Sequence, residues 1–128
     1  MGQPAAKQGD KIVASDTHIV LVPGASPLTV TIAFNGTLAG GLSGNVNIMG
    51  RPAATVDSTA DNVPPHLPAP GNAFQKPPSN KGTVKTGSPT VRINGKMAAR
   101  NGDTAVTCND PADLPVGKVV ATGTVFIG

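Results

Sequence analysis

The pattern "PTVRINGKMAARNGD", which starts at Pro89, occurs more than once in this chain. The run "GNVNIMGRPAATVDS" from Gly44 repeats its order of residue types, and "GQPAAKQGD" from Gly2 repeats its second half. The closing "GTVFIG" repeats its first half. The shared part aligns without gaps: Gly2 with Gly50 and Gly95, and Ala5-Ala6 with Ala53-Ala54 and Ala98-Ala99. Self-similarity of this kind means that one small unit recurs and that neighbouring units bury each other's apolar faces. It constrains the fold more than any single residue does.

Each unit reads as a short strand followed by turns. Val46 and Ile48, Val91 and Ile93, and Val125 and Ile127 alternate with other residues, as in a strand with one buried face. Asn94-Gly95 predicts a tight turn after it. Gly9-Asp10 and Gly102-Asp103 mark a second turn, where the middle copy departs with Asp57-Ser58. Asp10 and Asp103 are thus turn residues rather than a catalytic carboxylate pair. Gly and Pro supply 16 and 13 of the 128 residues, which leaves little room for helices. A net charge of +3 and 38% hydrophobic residues are not those of a disordered chain. The expectation is an all-β fold of many short strands, forming one domain over residues 1–128. Residues 19–42 predict an added hairpin or capping loop that covers the core with Leu21, Val30, Ile32 and Phe34. The Pro-rich "PPHLPAPGNAFQKPPSN" predicts a stiff, ordered loop.

The core has to be thin, because Trp and Tyr are absent and Phe34, Phe74 and Phe126 are the only aromatic residues apart from histidine. A small core calls for a staple: disulfides, a metal or a partner surface. The single cysteine excludes an intrachain disulfide. His18 lies fourteen residues after Pro4, and His66 lies fourteen after Pro52, the aligned position. Cys108 lies eleven residues after Met97 in the third copy. If the copies are related by rotation about one axis, these three side chains converge near it. Imidazole and thiolate suit zinc better than magnesium or calcium. The other reading of Cys108 is a small buried apolar residue.

The ten Lys and Arg are scattered and stacking aromatics are few, so no nucleic-acid partner is expected. The N-terminal residues lack a secretory signal, and no apolar run approaches a membrane span, so synthesis in the cytoplasm is expected.

The Pro-Ala-Ala element, the run "GSPTVRINGKMAARNGD" and the terminal "GTVFIG" resemble a PAAR-repeat protein. The resemblance implies a small pyramidal fold of short β-hairpins with internal pseudo-threefold repeats. It implies a base seated on a trimeric β-helical spike protein and an apex that binds zinc. Such proteins tip type VI secretion spikes, contractile phage-like tails and extracellular contractile injection particles. The function implied is a spike-tip cap, one per trimer and monomeric by itself, that is delivered outside the cell. It would touch the target-cell membrane transiently and would not act as an enzyme. No fused effector domain is expected after Gly128.

The family's zinc set is three His and one Cys. His18, His66 and Cys108 match it by position, and the third His has no counterpart here. The fourth position falls to water, a carboxylate such as Asp16 or Asp110, or a backbone group, or stays empty with the metal lost. The rival reading is a small zinc-dependent hydrolase with an open His/His/Cys site. Against it, the chain contains no Glu, the commonest base of zinc hydrolases.

Overall fold

The computed structural model describes residues 2–128, and every regular element among them is a strand. In chain order these are β1 (Gln3–Pro4), β2 (Lys11–Leu21), β3 (Leu28–Gly40), β4 (Asn47–Ile48), β5 (Arg51–Pro52), β6 (Thr59–Asn62) and β7 (Ala73–Phe74). They continue as β8 (Lys81–Val84), β9 (Arg92–Ile93), β10 (Lys96–Met97), β11 (Thr104–Thr107), β12 (Leu114–Val120) and β13 (Phe126–Ile127). No helix of the described residues is long and apolar enough to cross a membrane.

Strands β2, β3, β6, β8, β11 and β12 pair antiparallel in that order, and β12 returns to β2. The sheet closes into a small barrel, which spares it a pair of exposed edges. Strand β7 pairs with the far end of β2, where Val20 faces Phe74. Inside the barrel pack Ile12, Phe34, Leu38, Val84 and Val119. Phe34 is the one Phe ring fully inside. It fits because two facing positions carry no side chain. A Cβ at Gly36 would lie 2.9 Å from its Cε1, and one at Gly82 would lie 3.2 Å from Cε1 and Cζ.

At one end of the barrel the three copies of the repeat form three two-stranded hairpins. They are β4–β5, β9–β10, and β13 with β1. The third is closed by strands from opposite ends of the chain. After each hairpin comes the Ala-Ala pair. Ala6 N–H donates to the Ala99 carbonyl (2.9 Å), Ala99 N–H to Ala54 (3.0 Å) and Ala54 N–H to Ala6 (3.0 Å). This cyclic set of bonds defines a pseudo-threefold axis. The three alanines on it are fully buried.

The second turn also holds in all three copies. Lys7 N–H donates to Asp10 Oδ2 (3.0 Å), Arg100 N–H to Asp103 Oδ2 (2.7 Å) and Thr55 N–H to Ser58 Oγ (2.9 Å). The middle copy makes the same turn with a hydroxyl in place of a carboxylate. The charged pairs around it, Lys7–Asp10 and Arg100–Asp103, are mostly buried at 3.2 and 2.9 Å. Gly9, Asp57 and Gly102 hold φ of 91, 78 and 88°, so Asp57 adopts a left-handed conformation that costs a non-Gly residue energy.

One expectation changes, and one reading of the alternation is sharpened. Residues 19–42 do form a hairpin, but its apolar residues divide. Phe34 enters the core, Val30 and Ile32 are half-buried, and Leu21 is exposed at the end of β2. Ile48 and Ile93 form a second small buried cluster with Ala5, Ala53 and Ala98, so Ile93 faces inward at the hairpin end.

The threefold turn gives a direct test. Asp57→Gly should leave stability unchanged or raise it by up to about 1 kcal/mol, since its exposed ion pair with Lys96 contributes little. Gly102→Ala at the equivalent position should lower stability by about 1 kcal/mol. Urea unfolding of the two variants checks both signs.

Candidate metal centre

Three barrel strands lead away from the hairpin end. β2 starts after Asp10, β6 after Ser58 and β11 after Asp103. Side chains alternate along β2, so Ile12, Asp16, His18 and Val20 are all buried. β6 ends at Asn62, and the following loop turns His66 inward. β11 ends at Thr107, directly before Cys108. These three routes meet. The ligand atoms of Asp16, His18, His66 and Cys108 all lie within 4.8 Å of one another.

The structure thus brings together His18, His66 and Cys108, the three residues singled out by the repeat. It adds Asp16, one of the two carboxylates named for the open position, and Asp110 stands just outside. His66 Nε2 is 2.9 Å from Asp16 Oδ2, and Cys108 Sγ is 3.5 Å from the same oxygen. Cys108 Sγ lies 4.0 Å from His18 Nε2. The two imidazoles meet edge to face with centroids 4.9 Å apart, and Phe74 tilts against His18 at 5.2 Å.

Surrounding groups orient the set. Asn62 Nδ2 faces His66 Nδ1 at 3.1 Å, and Asn80 Oδ1 accepts from the His66 backbone N–H at 2.7 Å. Asp110 Oδ2 accepts from Ile19 N–H (2.8 Å) and lies 3.6 Å from His18 Nδ1. Asn109 Oδ1 accepts from Thr17 N–H at 2.7 Å, which ties the segment after Cys108 to β2.

Burial and the neighbouring His66 push the His18 imidazole down from its ordinary pKa, against the pull of Asp110 and Asp16. Burial likewise pushes the Cys108 thiol up, while a backbone N–H of Asn80 pulls the other way. His18 Nδ1 is the one buried side-chain N or O atom without a hydrogen-bond partner among the described residues. A buried polar atom left unpaired is costly, and a divalent cation nearby would order both the ring and its neighbours. The donor set of two imidazoles, a thiol and a carboxylate, all 4% exposed or less, could hold a metal ion. A cavity of about 190 Å³ is lined in part by His18, Cys108, Asp110 and Asp113.

The fold and the cluster together define an all-β protein of three like hairpins around one axis, with a metal-competent centre at the opposite end. Residues 75–128 match the family model described as PAAR motif. The match supports the resemblance of the chain to PAAR-repeat proteins. The matched residues carry the third repeat and the tail, and the first two repeats share their hydrogen-bond pattern. None of the curated proteins compared with the chain matches it.

Sequence reasoning reached Asp16 only as one of several choices. The signal was its spacing: it lies two residues before His18 on one strand, and hence on the same face.

The burial of Cys108 predicts slow chemistry. In the native protein a disulfide reagent at pH 8 should leave its thiol unmodified for hours, and unfolding in guanidinium should expose one thiol per chain at once. Immediate reaction of the folded protein contradicts this.

Proposed function

We propose that this protein is the tip of a contractile injection spike, capping the end of a trimeric β-helical spike protein with one copy per trimer. The carrying observation is the threefold hairpin end in a chain that resembles PAAR-repeat proteins. One chain there offers three like faces, so it can continue three identical chains without a symmetry mismatch. Main-chain pairing and apolar contact would supply the affinity, as in strand addition to a sheet edge. Apolar residues are exposed close to this end: Met49 at 51%, Val125 at 38% and Phe126 at 58%. Val46 and Val91, equivalent to Val125, are partly buried against the second cluster.

In this reading residues 1–128 act as one domain, monomeric before docking. The protein leaves the cell with the spike and meets the target membrane only in passing. Its role is structural. At the far end His18, His66 and Cys108 hold zinc, which pins three chain segments where the core is too small to do so. A second reading, a zinc-dependent hydrolase with an open His/His/Cys site, has the cavity beside His18 and Cys108 in its favour.

Three measurements test the cap. Protein purified without added metal should carry about one Zn per chain, with a Zn–S distance near ~2.3 Å. Strong chelation should lower the melting temperature, and Cys108→Ala or His66→Ala should destabilise far more than a surface change. A melting curve unmoved by proven metal loss would show the metal to be incidental.

The mass of the complex with the cognate spike should correspond to one cap per three spike chains. Val125→Asp should weaken docking with the fold intact, whereas Ile93→Asp should unfold the hairpin end, since Ile93 is 9% exposed. Three caps per trimer, or no association with a trimeric spike, would overturn the reading.

A further inference from the structure

We propose that Asp16 is the fourth ligand of the apex metal, through Oδ2 alone, so that the centre is closed to water. The inference rests on the metal reading above and decides between its closed and open forms. Asp16 is fully buried on β2 and shares a face with His18. Its two oxygens have different surroundings. Oδ1 accepts from Thr107 Oγ1 and faces Asn109 Nδ2 at 3.4 Å. Oδ2 faces the other candidate ligands, His66 Nε2 at 2.9 Å and Cys108 Sγ at 3.5 Å. The carboxylate is therefore anchored on one side and presents a single oxygen on the other.

Ligand atoms on a tetrahedral zinc with bonds of about 2.0–2.3 Å stand roughly 3.3–3.6 Å apart. The separations of 2.9, 3.5 and 4.0 Å among Asp16, His66, Cys108 and His18 bracket that range. All four ligand atoms lie within 4.8 Å of one another, so the wider pairs would have to close as the metal binds. Binding as a thiolate would release the Cys108 thiol proton.

Asp110, the other carboxylate close by, is placed differently. Its Oδ2 is bound to the Ile19 backbone and faces His18 Nδ1, the ring nitrogen that is not turned to Cys108. It stands on the outer side of the His18 ring, 3.6 Å from Nδ1, and not among the clustered ligand atoms. Charge points the same way. A thiolate and one carboxylate offset both charges of a divalent cation. A thiolate with neutral donors alone would leave a net positive charge in a buried site, which is costly. Asp16 thus supplies what the missing third histidine would not.

The test uses the whole chain and Co(II) as probe. Wild-type protein should bind one Co(II) with the intense visible bands of a tetrahedral site and a sulfur charge-transfer band. Asp16→Asn keeps the side-chain shape and removes the anionic oxygen. It should weaken Co(II) binding by more than the roughly 10–100-fold typical of losing an outer partner, and should alter the visible bands. Asp110→Asn should cost no more than that range and keep the tetrahedral spectrum. Water-proton relaxation of the wild-type Co(II) protein needs no variant and should show no exchangeable water on the metal. Asp16→Asn with wild-type affinity and bands, or an exchangeable water on the wild-type metal, overturns the proposal and leaves the metal reading standing. A wild-type chain that binds no Co(II) removes both.

Discussion

Three backbone hydrogen bonds between Ala6, Ala54 and Ala99 hold together everything else in this structure. They bring three segments, each about 45 residues from the next in sequence, to within one peptide of a common axis. Nothing larger than a methyl group fits there, because each alanine is fully enclosed. Glycine would fit too, but it would add backbone freedom at the one place that must be fixed. From this ring each chain segment leaves through an identical turn, capped by Asp10, Ser58 or Asp103. The turn sets the direction of the barrel strand that follows. The ring therefore fixes the starting points of β2, β6 and β11, and so, at a distance, the convergence of the cluster at their far ends.

The cluster is nevertheless not threefold, and the length of β2 explains why. β2 has 11 residues, whereas β6 and β11 have 4 each. Only β2 continues as regular strand to the cluster, and its period of two places two side chains there, Asp16 and His18. β6 stops early, and a loop delivers His66. β11 stops at Thr107, and Cys108 arrives one residue later, five after Asp103. The extra reach of β2 is supported by β3, which pairs with it from Lys11 to Val20. The long hairpin of residues 11–40 thus has a consequence for the site. It carries a second donor into a centre that three equal strands would supply with one donor each.

Much of this was legible in the residues, for reasons that differ from one part to the next. The hairpins and turns are local, and the aligned glycines and alanines state them directly. Asp57 looked like a break in the pattern. It is not, because the turn needs a left-handed backbone and a short acceptor, and Asp57-Ser58 supplies both at some cost. The convergence of His18 and His66 followed from equal spacing after aligned prolines, and that of Cys108 from its place in the equivalent loop of the third copy. The spacing is equal for His18 and His66, yet one is reached along a strand and the other through a loop. The same residues cluster in the structure, but they arrive there by different paths. The exposure of Leu21 was not legible, because it depends on whether a strand end meets a neighbour, and alternation alone does not say that.

The third hairpin is the least secured of the three by its own sequence. β4–β5 and β9–β10 are closed by two-residue turns at Met49-Gly50 and Asn94-Gly95, all four residues at positive φ. β1 and β13 have no such turn between them and meet only through their pairing, Gln3 with Ile127 and Pro4 with Phe126. Neighbouring contacts must replace the missing link. Ala5 N–H donates to the Val125 carbonyl (2.9 Å), and Ser88 donates its hydroxyl to the Gly128 carbonyl. Gly2 packs so closely on Ile127 that a Cβ there would lie 2.6 Å from its carbonyl oxygen. Lys7 Nζ reaches the Thr122 carbonyl at 2.6 Å while paired with Asp10, which ties the start of the chain to its last repeat through a buried charge. Breaking one partner of such a pair costs about 3–5 kcal/mol, more than a two-residue strand contributes. The seam between the first and last strands is therefore held from the inside, by Lys7 and the alanine ring, rather than by the strands that form it.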